Sequence, residues 1–313
     1  MTRTIAPLAA TLMLAGGAIT GLGAQSPSPT AAAAAPAATA TTARSYFAEN
    51  SMNVFRRFSG DGVKTLEFYA QVLGFGDVGA VGGVSRYQVG NSQLKFTRAG
   101  ANARFTRGAI NDAAGVRLWT MWFADEVALT RRFADRGFAA PVFKTVGSTR
   151  SALVADPDGE WVQLVIEPNA PKEAYGRLEI GIAANDLEKS RAFYRTFVGL
   201  EELPAVKDAV LNLTKYPFRH GTTTISVWAT PGPKPTNPQL AGIQYVVKPV
   251  DPIWALAQQR GIPVETALAE TMPGLVTTWL YDPDQVTNYF AEIRPRQGRG
   301  AGPAAAPAPA PAR

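Results

Sequence analysis

The 313-residue sequence contains no cysteine and a single histidine, His220. The lack of cysteine excludes disulfides, thiolate zinc sites and cysteine nucleophiles. Catalytic zinc and non-haem iron sites usually take two or three imidazoles, which one histidine per chain cannot supply. We therefore expect no metal ligands and no cofactor. A divalent cation is left open, although no set of ligands supports it.

Positive charge is in excess, but it is not clustered. The formal net charge is +6 and the sequence pI is about 9.6, with lysines and arginines scattered along the chain. Without a basic stripe we expect no nucleic-acid binding, and the charge indicates only a mild preference for anionic ligands. A hydrophobic fraction of 46% and this length are typical of a globular chain with about two domains.

The first 24 residues resemble a secretory signal peptide in composition. Arg3 precedes an apolar stretch over residues 5–22, and Ala24 is a plausible cleavage position. An uncleaved membrane anchor is the alternative, but proline and glycine interrupt the stretch and its hydrophobicity is modest. We therefore expect a periplasmic or secreted protein with no stable membrane insertion after cleavage.

Low-complexity segments flank the part of the chain that we expect to fold. Residues 25–44 consist mainly of Ala, Pro, Ser and Thr, and residues 296–313 mainly of Gly, Ala and Pro. Such compositions cannot bury a core, so we predict a disordered linker and a disordered tail. The predicted folded part is residues 45–295.

The predicted folded part contains the same landmarks twice. The hexapeptide KTLEFY that ends at Tyr69 recurs as KSRAFY ending at Tyr194, an offset of 125 residues. Asp156-Pro-Asp158 recurs as Asp282-Pro-Asp284, and two further pairs lie between these landmarks in the same order. Repetition at a nearly fixed period indicates a duplicated domain, which we place at residues 45–170 and 175–295.

Each copy has one internal plan that occurs twice. Apolar residues at helical spacing over residues 63–73 precede Gly74, and alternating residues over 85–89 and 93–97 predict a hairpin. The plan restarts with a predicted strand at Arg117. Each copy therefore reads as strand, helix and three strands, twice over, which predicts an α+β fold.

Several motifs resemble those of one known family. They are Asp186-Leu-Glu-Lys-Ser190, the following Phe193-Tyr194 and Gly199-Leu200, and the closing turn Asp156-Pro-Asp-Gly159. Their order is similar to that in the vicinal-oxygen-chelate superfamily of glyoxalases, bleomycin-resistance proteins and extradiol dioxygenases. The resemblance implies tandem domains, each of two βαβββ modules that form a curled mixed-sheet cup around a ligand or a metal.

The resemblance also implies where metal ligands would stand. Counting from the Phe-Tyr landmark, the ligand position on the first strand falls on Val54 in the first copy and Glu179 in the second. The position on the fifth strand falls near Leu118 and near Gln244 or Tyr245, and the position on the eighth strand falls on Gln163 and Tyr289. One carboxylate and no histidine occur among them. This departure from the family's pattern argues against metal-dependent chemistry.

Two residues are candidates for catalysis. Glu179 would become a general base if burial in the cup raised its pKa, or it is an exposed strand residue near the domain boundary. His220, which we predict in a loop before a strand, is a second candidate base or an ordinary surface residue.

Candidate ligand-binding residues follow from strand alternation. Arg56 shares a face with Val54 and would bind an anion in the first cup, or it is a rim arginine. Gln163 would orient a ligand carbonyl, and Trp161 shares its face. The remaining candidates are Gln244, Tyr245 and Tyr289.

Three functions remain open. The leading hypothesis is an exported protein that binds a small organic ligand in a cup without a histidine-based metal site. The alternative is a lyase-, isomerase- or dioxygenase-like enzyme in which Glu179 is the base or binds a hard cation. The third is an interaction module whose cups are filled by side chains. We expect a monomeric pseudo-dimer or a homodimer.

Overall fold

The structure, a computed structural model, describes residues 41–295. The predicted signal peptide and tail, and all but the end of the predicted linker, lie outside these residues. The predicted end of the linker at Arg44 was wrong. Ala43 is completely buried in a 3₁₀ turn, Ala43–Tyr46, and Arg260 donates a hydrogen bond to the Thr41 carbonyl over 2.9 Å. In the described part of the chain no helix has the length and apolarity to span a membrane.

Seventeen strands and four α-helices make up the described residues, in four modules. Module 1 contains β1 (Asn53–Phe58), α1 (Gly62–Glu67), β2 (Gly76–Asp77), β3 (Ser85–Val89) and β4 (Ser92–Arg98). Module 2 contains β5 (Gly115–Phe123), α2 (Glu126–Asp135), β6 (Lys144–Val146), β7 (Thr149–Ala155) and β8 (Trp161–Ile166).

The second half of the chain follows the same order with one additional strand. Module 3 contains β9 (Leu178–Ala184), α3 (Leu187–Ala192), β10 (Glu201–Glu202), β11 (Val206–Asp208), β12 (Leu213–His220) and β13 (Thr223–Ala229). Module 4 contains β14 (Ala241–Val246), α4 (Asp251–Gln259), β15 (Val264–Met272), β16 (Leu275–Tyr281) and β17 (Thr287–Ile293). The π-helical turns Phe68–Val72 and Phe193–Val198 continue α1 and α3.

Short polar side chains fix where the helices begin. Asp61, Asp125 and Asp186 each accept a hydrogen bond from the backbone N–H three residues further on. This contact satisfies one of the amide groups that a helix start leaves unpaired. The turn after α3 ends at Gly199, whose φ of 88° favours glycine.

The strands form two mixed sheets. Sheet A has the order β15-β16-β17-β14-β1-β4-β3-β2, and sheet B has the order β10-β12-β13-β9-β5-β8-β7-β6, with β11 paired to β12. The α+β fold with curled mixed sheets of two modules each is therefore confirmed. Sheet A combines modules 1 and 4, whereas sheet B combines modules 2 and 3. Each sheet thus contains strands from both predicted domains, and the predicted limits of these domains stay a prediction.

The first strands of the modules join the two halves of each sheet. In sheet A, β1 pairs antiparallel with β14, and in sheet B, β5 pairs antiparallel with β9. An unpaired first strand would leave a row of backbone donors and acceptors at a sheet edge. Pairing first strand with first strand removes that edge, and the two strands lie at the centre of each sheet.

The strand registers show where the two copies of the repeat differ. The carbonyl of Phe58 accepts a hydrogen bond from the chain after β4, and the carbonyl of Ala184 accepts the matching bond after β13. These two residues therefore correspond, at an offset of 126. The helix caps Asp61 and Asp186, by contrast, correspond at an offset of 125. Two residues separate the end of β1 from its cap, but only one residue separates the end of β9 from its cap.

This additional residue in the first copy reverses the predicted faces of β1. Asn53 rather than Val54 corresponds to Glu179, and Ile182 corresponds to Arg56. Because a shift of one residue moves every side chain of a strand to the other face, Val54 and Arg56 lie on the helix-covered side. The concave side of β1 carries Asn53.

Candidate functional site

Arg56 lies in the interior and not in a cup, so its predicted role in ligand binding was wrong. Its guanidinium forms an ion pair with Asp156 and a second one with Asp158 over 3.1 Å, and donates to the Tyr69 hydroxyl over 3.0 Å. Burial opposes its charge, but the neighbouring carboxylates raise the pKa of Arg56 above its ordinary value. Arg56 therefore links β1 to the closing turn of module 2.

Sheet A curls around an open cavity of about 570 Å³, which we call cup A. Its lining comes from both ends of the chain and is mostly polar. Its polar side chains include Asn53, Arg86, Gln93, Lys95 and Gln244. Four strands thus contribute to one concave surface, and the predicted Gln244 is among them.

Two cations stand side by side in cup A. Arg86 and Lys95 lie directly opposite each other in the antiparallel β3–β4 pair. Within residues 41–295 neither of them forms an ion pair with a carboxylate. The Lys95 ammonium donates to the Gln244 side-chain oxygen, and Arg86 donates to the carbonyls of Val78 and Gly79, both over 3.1 Å. Like charges directly opposite each other destabilise a sheet unless an anion compensates them.

Burial and, to a smaller extent, the charge of Arg86 together lower the pKa of Lys95 to about 8. Glu49, an exposed residue at the edge of the same cavity, acts in the opposite direction. About one Lys95 side chain in ten is therefore uncharged at pH 7, and about half are uncharged at pH 8. An uncharged lysine amine is both a base and a nucleophile.

Sheet B curls around a smaller cavity of about 260 Å³, which we call cup B. A lysine is buried in its floor. The Lys215 ammonium lies 2.9 Å from Glu179, 2.8 Å from Asp208 and 3.3 Å from the Gln163 side-chain oxygen. Thr120 donates to the same Gln163 oxygen over 3.2 Å. Glu179 and Gln163, both predicted site residues, are thus brought together around Lys215.

The charges of cup B compensate one another. The Lys215 side chain is 6% exposed. Burial works against its charge, but Glu179 and Asp208 raise the pKa of Lys215 above its ordinary value. Burial also opposes the charge of Asp208, and Lys215 lowers the pKa of that carboxyl. Cup B therefore holds a closed ion cluster, whereas cup A holds uncompensated positive charge.

Tyr245 and His220 lie outside both cups. The Tyr245 ring stacks on Phe290 at 4.8 Å between centroids, and its hydroxyl donates to Asn288 over 3.0 Å. Strand alternation directs Gln244, not Tyr245, into cup A, so the ligand-binding prediction for Tyr245 was wrong. His220 ends β12 instead of lying in a loop. Its Nε2 bonds to the Glu49 carbonyl over 2.7 Å, and burial lowers the pKa of the ring.

Trp161 and Tyr289 lie beside the cavities rather than in their lining. The Trp161 indole donates to the Gly108 carbonyl over 2.8 Å and packs near Leu118. Tyr289 pairs with Gln244 in the sheet and lies 5.0 Å from the Trp279 ring, and burial raises its pKa to about 12. Their predicted roles in ligand binding stay predictions.

The sequence predictions missed four charged residues on which the cups depend, namely Arg86, Lys95, Lys215 and Asp208. Lys95 alternates with the buried Leu94 and Phe96, which was the available signal for its direction. Lys215 and Asp208 offered no such signal, because β11 and β12 meet through a turn whose pairing the sequence did not indicate.

Comparison with known proteins agrees with this architecture. A model of the Glyoxalase/Bleomycin resistance protein/Dioxygenase superfamily matches residues 177–290. Glyoxalase I from Zea mays is 16% identical with a TM-score of 0.57, over 78% of this chain and 93% of that chain. A putative dioxygenase from Bacillus subtilis is 13% identical with a TM-score of 0.58, over 82% and 87% of the two chains. Among curated proteins there is no match.

The fold is therefore that of glyoxalase I, with four modules in one chain. Residues 177–290 match the superfamily that the motifs predicted, and for the rest of the described chain the likeness to glyoxalase I shows the fold.

The cups do not suit the metal that this family implies. In cup B the Lys215 ammonium occupies the space between the oxygens of Glu179, Asp208 and Gln163. A metal ion there would meet a positive charge at short range. The floor of cup A presents amides and Lys95. Among the described residues no three His, Cys, Asp or Glu side chains are grouped as a metal site requires. The expectation of no cofactor stays a prediction.

Proposed function

We propose that this protein binds a small organic acid in cup A, without a histidine-based metal site, outside the cytoplasm. The observation that carries the proposal is the Arg86–Lys95 pair, two neighbouring cations that face a cavity without a carboxylate partner in the described residues. The location rests on the predicted signal peptide.

Cup A offers what a small acid needs. A carboxylate between Arg86 and Lys95 would compensate the repulsion of the two cations and would accept charge-assisted hydrogen bonds. The amides of Asn53, Gln93 and Gln244 supply donors and acceptors for the rest of the molecule. A cavity of about 570 Å³ has the size of an ordinary small-molecule site. Each cup takes its strands from one chain, which favours a monomeric pseudo-dimer over a homodimer.

The contacts in cup B do not favour the alternative enzyme. Glu179 accepts a hydrogen bond from Lys215 and lies beside Asp208 in the same ion cluster. A base or cation ligand at Glu179 would first have to lose this contact. The open volume of cup A likewise argues against an interaction module whose cups are filled by side chains.

Direct titration tests the proposal. We expect lactate to bind the full-length protein, followed by ligand-observed NMR and calorimetry, and Lys95→Gln to weaken binding by at least tenfold. Lys64→Gln, which removes an exposed charge on α1, is the matched control and should leave binding unchanged. If lactate and benzoate show no binding to the folded protein, or if both variants lose affinity equally, the proposal fails.

A further inference from the structure

We propose that Lys95 reacts reversibly with the carbonyl carbon of a 2-oxo acid held in cup A, and forms an imine. The inference rests on the proposed function, because the acid group of the same molecule would pair with the positively charged Arg86 beside Lys95. It adds a covalent step and narrows the ligand class from organic acids to 2-oxo acids.

The surroundings of the half-buried Lys95 differ from those of the buried Lys215. Lys215 is held by two carboxylates, which keep its ammonium charged and leave no lone pair. Lys95 donates to the neutral amide oxygen of Gln244 and faces a cavity large enough for a reactant. The nitrogen is thus positioned by a hydrogen bond that does not require it to be charged.

The charged groups around Lys95 favour the free amine. Arg86, directly opposite on β3, and burial both oppose the ammonium form, while the exposed Glu49 supports it. With a pKa of about 8, the neutral fraction at pH 8 exceeds that of an ordinary lysine by roughly a hundredfold. Nucleophilic lysines are commonly produced by burial or by a neighbouring cation. Lys95 has both.

The step balances without an oxidant or a further reactant. The lone pair of the neutral Lys95 nitrogen attacks the carbonyl carbon, so that a C–N bond forms and the carbonyl oxygen takes a proton. The nitrogen loses one proton as this carbinolamine forms and its second proton as the hydroxyl is protonated in turn, the C–O bond breaks and water leaves, which produces the imine. Addition of water reverses the sequence. Glu49 lies at the edge of the cavity, where its carboxylate can exchange the protons with solvent.

Arg86 selects the acid group. Its guanidinium is held by the Val78 and Gly79 carbonyls and stays protonated, so it does not compete with Lys95 as a nucleophile. A carboxylate one bond away from the reacting carbon would lie against Arg86, while the neutral Lys95 nitrogen reaches the carbonyl carbon. A 2-oxo acid should therefore react much faster than a neutral aldehyde of the same size.

Reductive trapping tests the inference. Full-length protein is incubated with pyruvate and sodium borohydride at pH 8, digested and mapped by mass spectrometry. We expect a reduced adduct on Lys95 at least tenfold above that on Lys64. Lys95→Arg keeps the charge and should abolish this adduct, whereas propanal should label Lys95 more slowly than pyruvate does.

Lactate separates the two proposals, because it has the acid group and no carbonyl. If lactate and pyruvate bind but the borohydride adduct on Lys95 does not exceed that on Lys64, the imine is refuted and the proposed function stands. If neither acid binds, both proposals are refuted. Mapping in the unmodified protein does not depend on the folding of any variant.

Discussion

The two closing turns differ in one buried charge, and this difference predicts how stability depends on pH. Asp156 accepts hydrogen bonds from Tyr69 and from its own turn, and it is paired with Arg56. Asp282 accepts the matching bonds from Tyr194 and its turn, but Ile182 stands where β1 has Arg56. Burial and, to a smaller extent, the charge of Asp284 together raise the pKa of Asp282 to about 7.

The sign and size of the effect follow from this pKa. Because the folded-state value of about 7 lies above the ordinary 3.8, the folded protein retains a proton that the unfolded chain has released between these pH values. The stability due to neutral Asp282 is therefore fully present below about pH 4 and is lost as the pH rises through 7. At about 1.4 kcal/mol per pKa unit, the loss is about 4 kcal/mol in the free energy of unfolding.

Asp282→Asn removes the titration and keeps a neutral side chain of the same shape. We expect urea unfolding at pH 4, 5.5, 7 and 8.5 to show that the free energy of unfolding of the variant, relative to that of the unmodified protein, rises by about 4 kcal/mol from pH 4 to pH 8.5. Asp156→Asn is the control. It leaves Arg56 without its closest carboxylate and should cost about 3–5 kcal/mol at pH 7 and 8.5. Parallel pH curves for Asp282→Asn and the unmodified protein would refute the reasoning.

Three further predictions concern the cups and the core. Lys215→Met leaves Glu179 and Asp208 buried without a cation. In urea unfolding at pH 7 it should lower the free energy of unfolding by about 3–5 kcal/mol. An effect under 1 kcal/mol, which is about that of a surface ion pair, would contradict the closed ion cluster. Gly221→Ala should cost more than Gly147→Ala in a thermal melt. Both glycines have φ near 60°, but a Cβ at Gly221 would lie 1.9 Å from the Asn50 carbonyl oxygen, whereas Gly147 has open space. Tyr245→Phe should cost about 1–2 kcal/mol through the lost bond to Asn288, and lactate titration should show unchanged affinity.

Local patterns predicted the fold better than they predicted the cups. Helix starts at Asp61, Asp125 and Asp186, and the repeated turn at Asp156 and Asp282, are set by residues near in sequence, so they could be recognised. The association of module 1 with module 4 depends on strands almost 190 residues apart. No local pattern specifies which first strands pair.

A single additional residue explains the wrong predictions on β1. The count from the Tyr69 and Tyr194 landmarks assumed equal spacing between strand and helix, but the first copy has one residue more. The count therefore selected Val54 and Arg56, which lie beside the helices, and passed over Asn53. On β9 the residue chosen by the count, Glu179, does lie in cup B.

The difference between the two cups follows from one inserted strand. In module 3 the strand β11 is inserted between β10 and β12, and it contributes Asp208 and its neighbours to the lining of cup B. The corresponding stretch of module 1, residues 78–84, is a short glycine-rich turn that supplies no carboxylate to the cations of cup A. The inserted strand thus both narrows cup B and neutralises Lys215. Because cup A has no such strand, its Arg86 and Lys95 have no carboxylate partner among the described residues and keep their access to the cavity, and ligand binding should be sought there.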